Sequence, residues 1–331
     1  MKYKKTIILV MCLCAAAGIC WYLGTLVTPQ ELQALLQSLG SWAAVGYVGL
    51  FTVLPAFFFP VAVLVSVWNV AVQSLGYIPA FGLTTPTLRY YLQVFTHRDF
   101  LSAVWVSLKI ALWSAVIATI LGVLISMALI KCRKTGGGML YAVRMPILVP
   151  HAVVAVFVIQ ILSQTGLLAR GLYWLGLLED YSQFPQLLYT PDYIGAILAY
   201  LWKETPFVAY FVLAFRSSIS ETLGEAAENM GASPVRSFLE VTLPLSVPVI
   251  SRAFLIIFIF AFGGYELPLL LGSTLPKALS VQTYLVYMSP DLLQRPLAMA
   301  MNGVVLLLSG AMMLLYSMVI HRLNRKIGGV K

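Results

Sequence analysis

The residues able to do chemistry in this chain are few, and most stand in apolar surroundings. Lys203 and Glu204 lie side by side within the run 193–216, with Pro206 two residues further on. Glu266 lies deep in a second run, 249–271, just after Gly263 and Gly264. A charge inside a bilayer is costly unless it is paired or turned toward water. These three residues therefore either line a solute pathway or are structural charges bonded to neighbouring helices. Tyr200, Trp202 and Tyr265 stand beside them and offer ring faces to a cation. Lys109 and Arg252 sit nearer the ends of their runs, as snorkelling side chains do. The three histidines, His97, His151 and His321, fall on separate segments. His151, directly after Pro150, reads as a packing residue. The four cysteines (Cys12, Cys14, Cys20 and Cys132) form no metal-ligand pattern and read as reduced and structural. Enzyme chemistry would want His, Asp or Ser clustered at one membrane face, so neither a catalytic nor a metal centre is expected. The sequence lacks a GxxxxGK[ST] loop, and TGGG at 135–138 reads as a flexible turn. No cofactor is expected on this chain.

The longest polar interval between two apolar runs is 216–248, RSSISETLGEAAENMGASPVRSFLEVTLPLSVP. It reads as two short helices. Ala226 and Ala227 suit the first, Gly231 breaks it, and Ser233 caps a second with Pro234 at its first position. Leu243-Pro244 is expected to end that second helix. An apolar face built from Leu223, Ala227, Met230, Val235, Phe238 and Leu239 would dock into a groove on a soluble partner or lie on lipid headgroups.

The elements that must carry these residues follow from composition. Of 331 residues, 60% are hydrophobic and 10% charged, against about 25% charged in soluble domains. Mean hydropathy is +0.91. One soluble core cannot hide so much apolar surface, so the chain is an integral membrane protein. Seven apolar runs approach the roughly 20 residues a bilayer crossing needs: 6–27, 42–68, 101–130, 146–165, 193–216, 249–271 and 297–320. The net charge of +9 is not one stripe that would suit nucleic acid. It gathers near run ends, at Lys2, Lys4 and Lys5, at Lys131, Arg133, Lys134 and Arg144, and at Arg322, Arg325 and Lys326. Cytoplasmic retention of basic loops puts both termini and 131–145 inside. An even number of crossings is then required. Pro55 and Pro60 interrupt 42–68, so that run is expected to be re-entrant or broken, leaving six full spans in an all-α polytopic bundle; the alternative is seven spans with the N-terminus outside, against its three lysines.

The spacing in the polar interval resembles a known family. Glu225-Ala226-Ala227, three residues, Gly231, nine residues, Val241, one residue, Leu243-Pro244 is similar to the EAA loop of ABC-importer permeases. The family often has isoleucine where Val241 stands. The resemblance covers about 66–325 and extends to SLGYIPAFGLT (74–84), WKETPF (202–207), GGYELPLLLG (263–272) and RPLAMAMN (295–302). It points to binding-protein-dependent permeases of MetI-like fold, nearest the spermidine/putrescine branch. Residues 1–65 instead resemble, over a short stretch, the start of DedA/SNARE-associated (VTT) membrane proteins.

The resemblance implies a domain order of 1–68 as DedA-like N-terminal membrane segments, 69–99 as an extracytoplasmic loop, and 100–325 as the permease domain with its coupling loop at 217–248. It implies a multi-pass protein of the bacterial cytoplasmic membrane, not an enzyme. Its partners would be a cytoplasmic ABC ATPase, a second permease subunit (the same or a different chain), an extracytoplasmic substrate-binding protein and a small solute, a polyamine or similar. Nucleic acid is not among them. Carried over residue by residue, Glu225, Ala226, Ala227 and Gly231 would contact the ATPase, and Leu243 and Pro244 would shape the loop. Lys203, Glu204 and Glu266 remain the pathway candidates. The competing reading, from the first 65 residues, is a DedA-like lipid or small-solute transporter, or an inactive fusion.

Overall fold

A computed structural model describes residues 42–132, 137–216 and 221–327. The first helix, α1 (Trp42–Ser74), runs without a break through Pro55 and Pro60. The expected interruption of 42–68 is thereby corrected, since a re-entrant segment would need a turn that this helix lacks. Prolines are tolerated inside apolar helices because local adjustments re-satisfy the one carbonyl each leaves open. The expected crossing at 6–27 and most of the DedA-like stretch lie outside the described residues.

From residue 73 onward the chain forms a helical bundle. A short helix, α2 (Arg89–Thr96), precedes α3 (Phe100–Lys131). Then come α4 (Gly137–Leu148), α5 (His151–Leu162), α6 (Leu167–Trp174) and α7 (Ile194–Phe215). After the polar interval come α8 (Glu221–Asn229), α9 (Pro234–Ser237) and α10 (Leu243–Gly263). The chain closes with α11 (Glu266–Leu271), α12 (Leu279–Tyr287) and α13 (Arg295–Ile327). Five stretches among the described residues are long and apolar enough to cross a membrane: Phe100–Lys131, His151–Trp174, Ile194–Phe215, Pro234–Gly263 and Leu292–Ile320. Helix is the expected outcome for such runs, because it pairs every backbone group within its own segment.

The centre of the bundle is α3 packed on α7 and α10. The middle of the buried face of α3 is built largely from small side chains: Ala111, Ser114, Ala115, Ala118, Gly122 and Ser126 are all buried. Small residues let helix backbones approach closely, and in lipid that contact is the main source of helix association. At Gly122 the approach is closest. A β-carbon there would come within 2.8 Å of the Thr205 carbonyl oxygen and 2.5 Å of Val208 Cβ. One turn on, the Ser126 hydroxyl donates to Gly122 O (2.8 Å) and Ala209 O (3.2 Å), stitching the same two helices.

Larger side chains fill the spaces around this seam. Toward one end Leu129, Ile130, Val212, Phe238 and Ile257 pack together. Toward the other, Ile110, Tyr193, Tyr200, Phe262 and Leu267 do so. Lys109 does more than snorkel: its ammonium bonds Asp192 Oδ1 at 2.9 Å and the Pro191 carbonyl at 3.3 Å, tying α3 to the loop before α7. The carboxylate is exposed, so the pair adds at most about 1 kcal/mol.

Candidate functional site

The polar interval folds into a tight helix–turn–helix. α8 ends in a Schellman arrangement: Gly231 N–H donates to Glu228 O (2.9 Å) and Ala232 N–H to Ala227 O (3.0 Å). Gly231 holds φ +96°, a backbone state that disfavours any side chain. The next helix begins as expected, with Pro234 at its first position and the Ser233 hydroxyl accepting from Arg236 N–H (3.3 Å). The two helices are then locked by the Ser237 hydroxyl, which donates to Gly224 O at 3.0 Å.

Leu243-Pro244 does not end the second helix, contrary to expectation. A single π-turn, Phe238–Thr242, joins α9 to α10, with Leu243 N–H reaching back to Phe238 O. The wider turn absorbs the register change that the imide at Pro244 requires, so the helix passes into the membrane-length segment. Leu243 is half-buried and Pro244 exposed in the first turn of α10.

The expected docking face is also smaller than the sequence suggested. Phe238 is buried against Leu129 and Ile130. Leu223, Met230 and Leu239 are the large apolar residues left exposed, Met230 at 83%. Glu225 and Ala226 are exposed beside them, and Ala227 is half-buried. The result is a small polar-rimmed platform with a pliable methionine at its tip, the kind of side chain that adapts to a partner's groove.

The pathway candidates gather around a helix break. α4 stops at Leu148 and α5 starts at His151, with Pro146 in the last turn of α4 and Pro150 capping α5 in the gap. Lys203, midway along α7 and buried, donates its ammonium to the carbonyls of Ile147 (3.3 Å) and Val149. It thus satisfies acceptors that the broken helix cannot pair itself. Glu204 is half-buried on the next position, and both it and Glu266 lie within electrostatic reach of Lys203. Replacing Lys203 with methionine is expected to lower stability by about 2–3 kcal/mol, through two orphaned carbonyls in an apolar setting. Thermal unfolding of the detergent-purified protein measures it, and Lys203→Arg should recover part of the loss.

Glu266 opens α11, just past the end of α10. Its carboxylate lies 3.9 Å from His151 Nδ1. The two residues, with Tyr200, Phe260 and Tyr265, line a cavity of about 420 Å³. Tyr200 and Tyr265 are therefore at this site, whereas Trp202 is not among the lining residues. Sequence reasoning underrated His151: its ring packs on Phe260 (centroids 5.2 Å), as a core histidine would, yet it also faces the acid. The signal was Pro150, which stands at the break and makes His151 the first residue of α5.

Membrane-length helices packed along a small-residue seam, a broken helix beside a cavity and a polar helical hairpin between two of the long helices make a polytopic membrane protein. Comparison with known proteins gives the particular family. The model for the binding-protein-dependent transport system inner membrane component matches residues 120–327. The chain belongs to that family and is a multi-pass inner-membrane permease, a transporter component and not an enzyme. Among its relatives is the "Probable sulfate transport system permease protein cysT" of Zygnema circumcarinatum, 27% identical over 72% of this chain and 80% of the relative. Another is the trehalose/maltose transport system permease protein MalF of Thermococcus litoralis, 31% identical over 54% and 63%. The spermidine/putrescine transport system permease protein PotB of Salmonella typhimurium is 24% identical over 51% and 56%. In fold, the chain is similar to a solved bacterial ABC transporter involved in import of the acidic polysaccharide alginate. The TM-score is 0.64 at 20% identity, over 87% of this chain and 99% of that one.

Proposed function

We propose that this chain forms part of the solute pathway of an ABC importer and couples it to a separate cytoplasmic ATPase through the hairpin at 217–248. The observation that carries the reading is the exposed platform of Leu223, Met230 and Glu225, held by the Gly231 turn and continuous with a membrane-length helix. The Glu225-Ala226-Ala227 face and Gly231 are the contact positions, and Leu243 and Pro244 set the pitch at which the hairpin leaves the bundle. ATP-driven closure of the ATPase would draw two such hairpins together and switch the pathway from inward-open to outward-open as a rigid-body change. The second hairpin belongs to another permease subunit, identical or different.

An extracytoplasmic binding protein delivering solute to the far end fits the same scheme. One solved alginate transporter is in complex with a periplasmic protein bound to an alginate pentasaccharide. The chain carries a groove of about 1170 Å³ whose charged lining is Arg89, Arg98, Lys277 and Asp99, a net positive balance suited to an acidic docking surface. Within this scheme the domain order is an N-terminal membrane segment over 1–68, an extracytoplasmic connection over 69–99, and the permease domain over 100–325.

Recovery of an ATPase with the tagged full-length chain, purified in mild detergent, tests the reading. Met230→Asp should reduce that recovery at least tenfold while leaving the yield of the chain unchanged. A well-folded wild type that brings down no ATPase sinks the assignment.

A further inference from the structure

Charged side chains mark the two bilayer surfaces on this chain. Arg144 holds its guanidinium 4.3 Å over the Tyr210 ring, near the hairpin end of α7. At the other end of α7, the Lys109–Asp192 pair stands two residues before Ile194, with its carboxylate exposed. Between these levels runs the broken pair α4 and α5. The rise from Arg144 to Leu162 is about 27 Å at helical pitch, close to the roughly 30 Å of hydrocarbon core. Leu162 packs against the cluster that holds Leu188 and Tyr193, and the Gln164 side chain donates to Phe184 O at 3.3 Å. The end of α5 therefore lies beside the loop carrying Asp192, at the surface opposite the hairpin. His151–Trp174 has the length of a span, but residues 163–166 leave the helix, with Gly166 N–H donating to Ser163 O at 2.8 Å. The crossing is complete at α5, and α6 begins at the surface.

α6 has eight residues, too few to hold a helix in water unaided. Its packing is with α5 and with the turn Tyr181–Gln183. Ala169 is buried and Leu172 half-buried on the side toward the protein. The face turned away carries Leu167, Leu168, Trp174 and Leu175, with Trp174 84% exposed. Leu177 is exposed just past the helix cap, where its N–H donates to Leu172 O at 2.9 Å. On the flank of this face Arg170 is exposed, its Nε donating to the Thr165 carbonyl at 2.8 Å. The rings of Tyr173 and Tyr181 lie 5.2 Å apart beside it, and Glu179 and Asp180 follow in exposed positions. Leucines and a tryptophan on one side, with tyrosines and a basic residue at the margin, match a helix lying at the headgroup–acyl boundary. The height of α6, level with the end of a completed crossing, brings that boundary to the uncovered face.

We propose that α6 is an interfacial anchor on the leaflet opposite the hairpin. Leu167, Leu168, Trp174 and Leu175 sink among acyl chains, and Arg170 stands at the height of the lipid phosphates. The inference goes beyond the permease reading and needs only that the chain spans a membrane.

Power-saturation spin-label spectroscopy tests it on the full-length chain, with its four cysteines replaced by alanine. The chain is purified with the subunits that accompany it and placed in vesicles of phosphatidylethanolamine and phosphatidylglycerol. A nitroxide is attached in turn to Trp174→Cys, Leu167→Cys and Asp180→Cys, and its collisions with oxygen and with a water-soluble nickel chelate are compared. The oxygen-to-nickel ratio at 174 and at 167 should exceed that at 180 at least fivefold. Nickel access at 174 and 167 equal to that at 180 would put the face in water and overturn the proposal. Scant collision with either reagent at both positions would put the face beneath a protein partner, and overturns it equally. The label at 167 keeps the test decisive if loss of the Trp174 ring disturbs the helix.

Discussion

Gly231→Asp is expected to abolish ATP-driven transport while leaving the protein folded and in the membrane. The residue sits at φ +96° with open space around its missing β-carbon. An aspartate there meets no neighbouring atom, so the bundle is untouched, yet its backbone resists that conformation by about 1–2 kcal/mol. Relaxation of that strain opens the two bonds closing α8, Gly231 to Glu228 and Ala232 to Ala227. The angle between α8 and α9 then changes, and with it the position of Met230 and Leu223 relative to the ATPase. Solute uptake should fall at least a hundredfold, and chain yield and thermal midpoint should stay near wild type. A loss of folded protein in proportion to the loss of uptake would show that Gly231 serves the fold and not the coupling.

Gly122→Val should have the opposite profile. Three extra carbons would be driven into Val208 and the Thr205 carbonyl, both parts of α7. Neither obstacle is the far end of a flexible side chain, so α3 and α7 must separate. Separation also breaks the Ser126 bond to Ala209 O and empties the contact along Ala115 and Ala118. A loss of about 3 kcal/mol or more is expected, from overpacking together with a lost hydrogen bond. Full-length protein should fail to appear as a monodisperse peak in detergent. A wild-type elution profile for Gly122→Val would contradict the close packing at this seam.

Much of this was legible in the sequence, because the rules that govern it are local. Apolar runs of membrane length become helices wherever lipid offers the backbone no other partner. Gly231, Ser233 and Pro234 announce the turn and the next helix start through conformational preferences that act within three or four residues. What failed did so where local rules compete. Pro55 and Pro60 argue for a break, yet α1 continues through them. Leu243-Pro244 argues for a helix end, and a π-turn carries the helix on. Phe238 belongs by spacing to the docking face, and the bundle claims it because large side chains are needed beside the small-residue seam. Lys203 presents the deepest ambiguity. Charge within an apolar run is compatible with a pathway or a structural bond, and only the placement of the 147–149 carbonyls shows where its ammonium goes.

The unbroken passage from hairpin to membrane helix has a mechanical consequence. Pro234–Gly263 is 30 residues, a rod of about 45 Å. One end carries the exposed hairpin platform, and the other stops at Gly263, one residue short of the glycine that precedes Tyr265. A flexible joint at Leu243-Pro244 would have dissipated any push from the ATPase close to the membrane surface. With the π-turn in its place, a push on the hairpin would be carried along the helix past its contacts with α3 and α7. A tilt imposed at the hairpin would reach Gly263 and the cavity lined by His151, Tyr200 and Glu266. Movement of a whole helix, and not a relay of side chains, would be what reaches Tyr265.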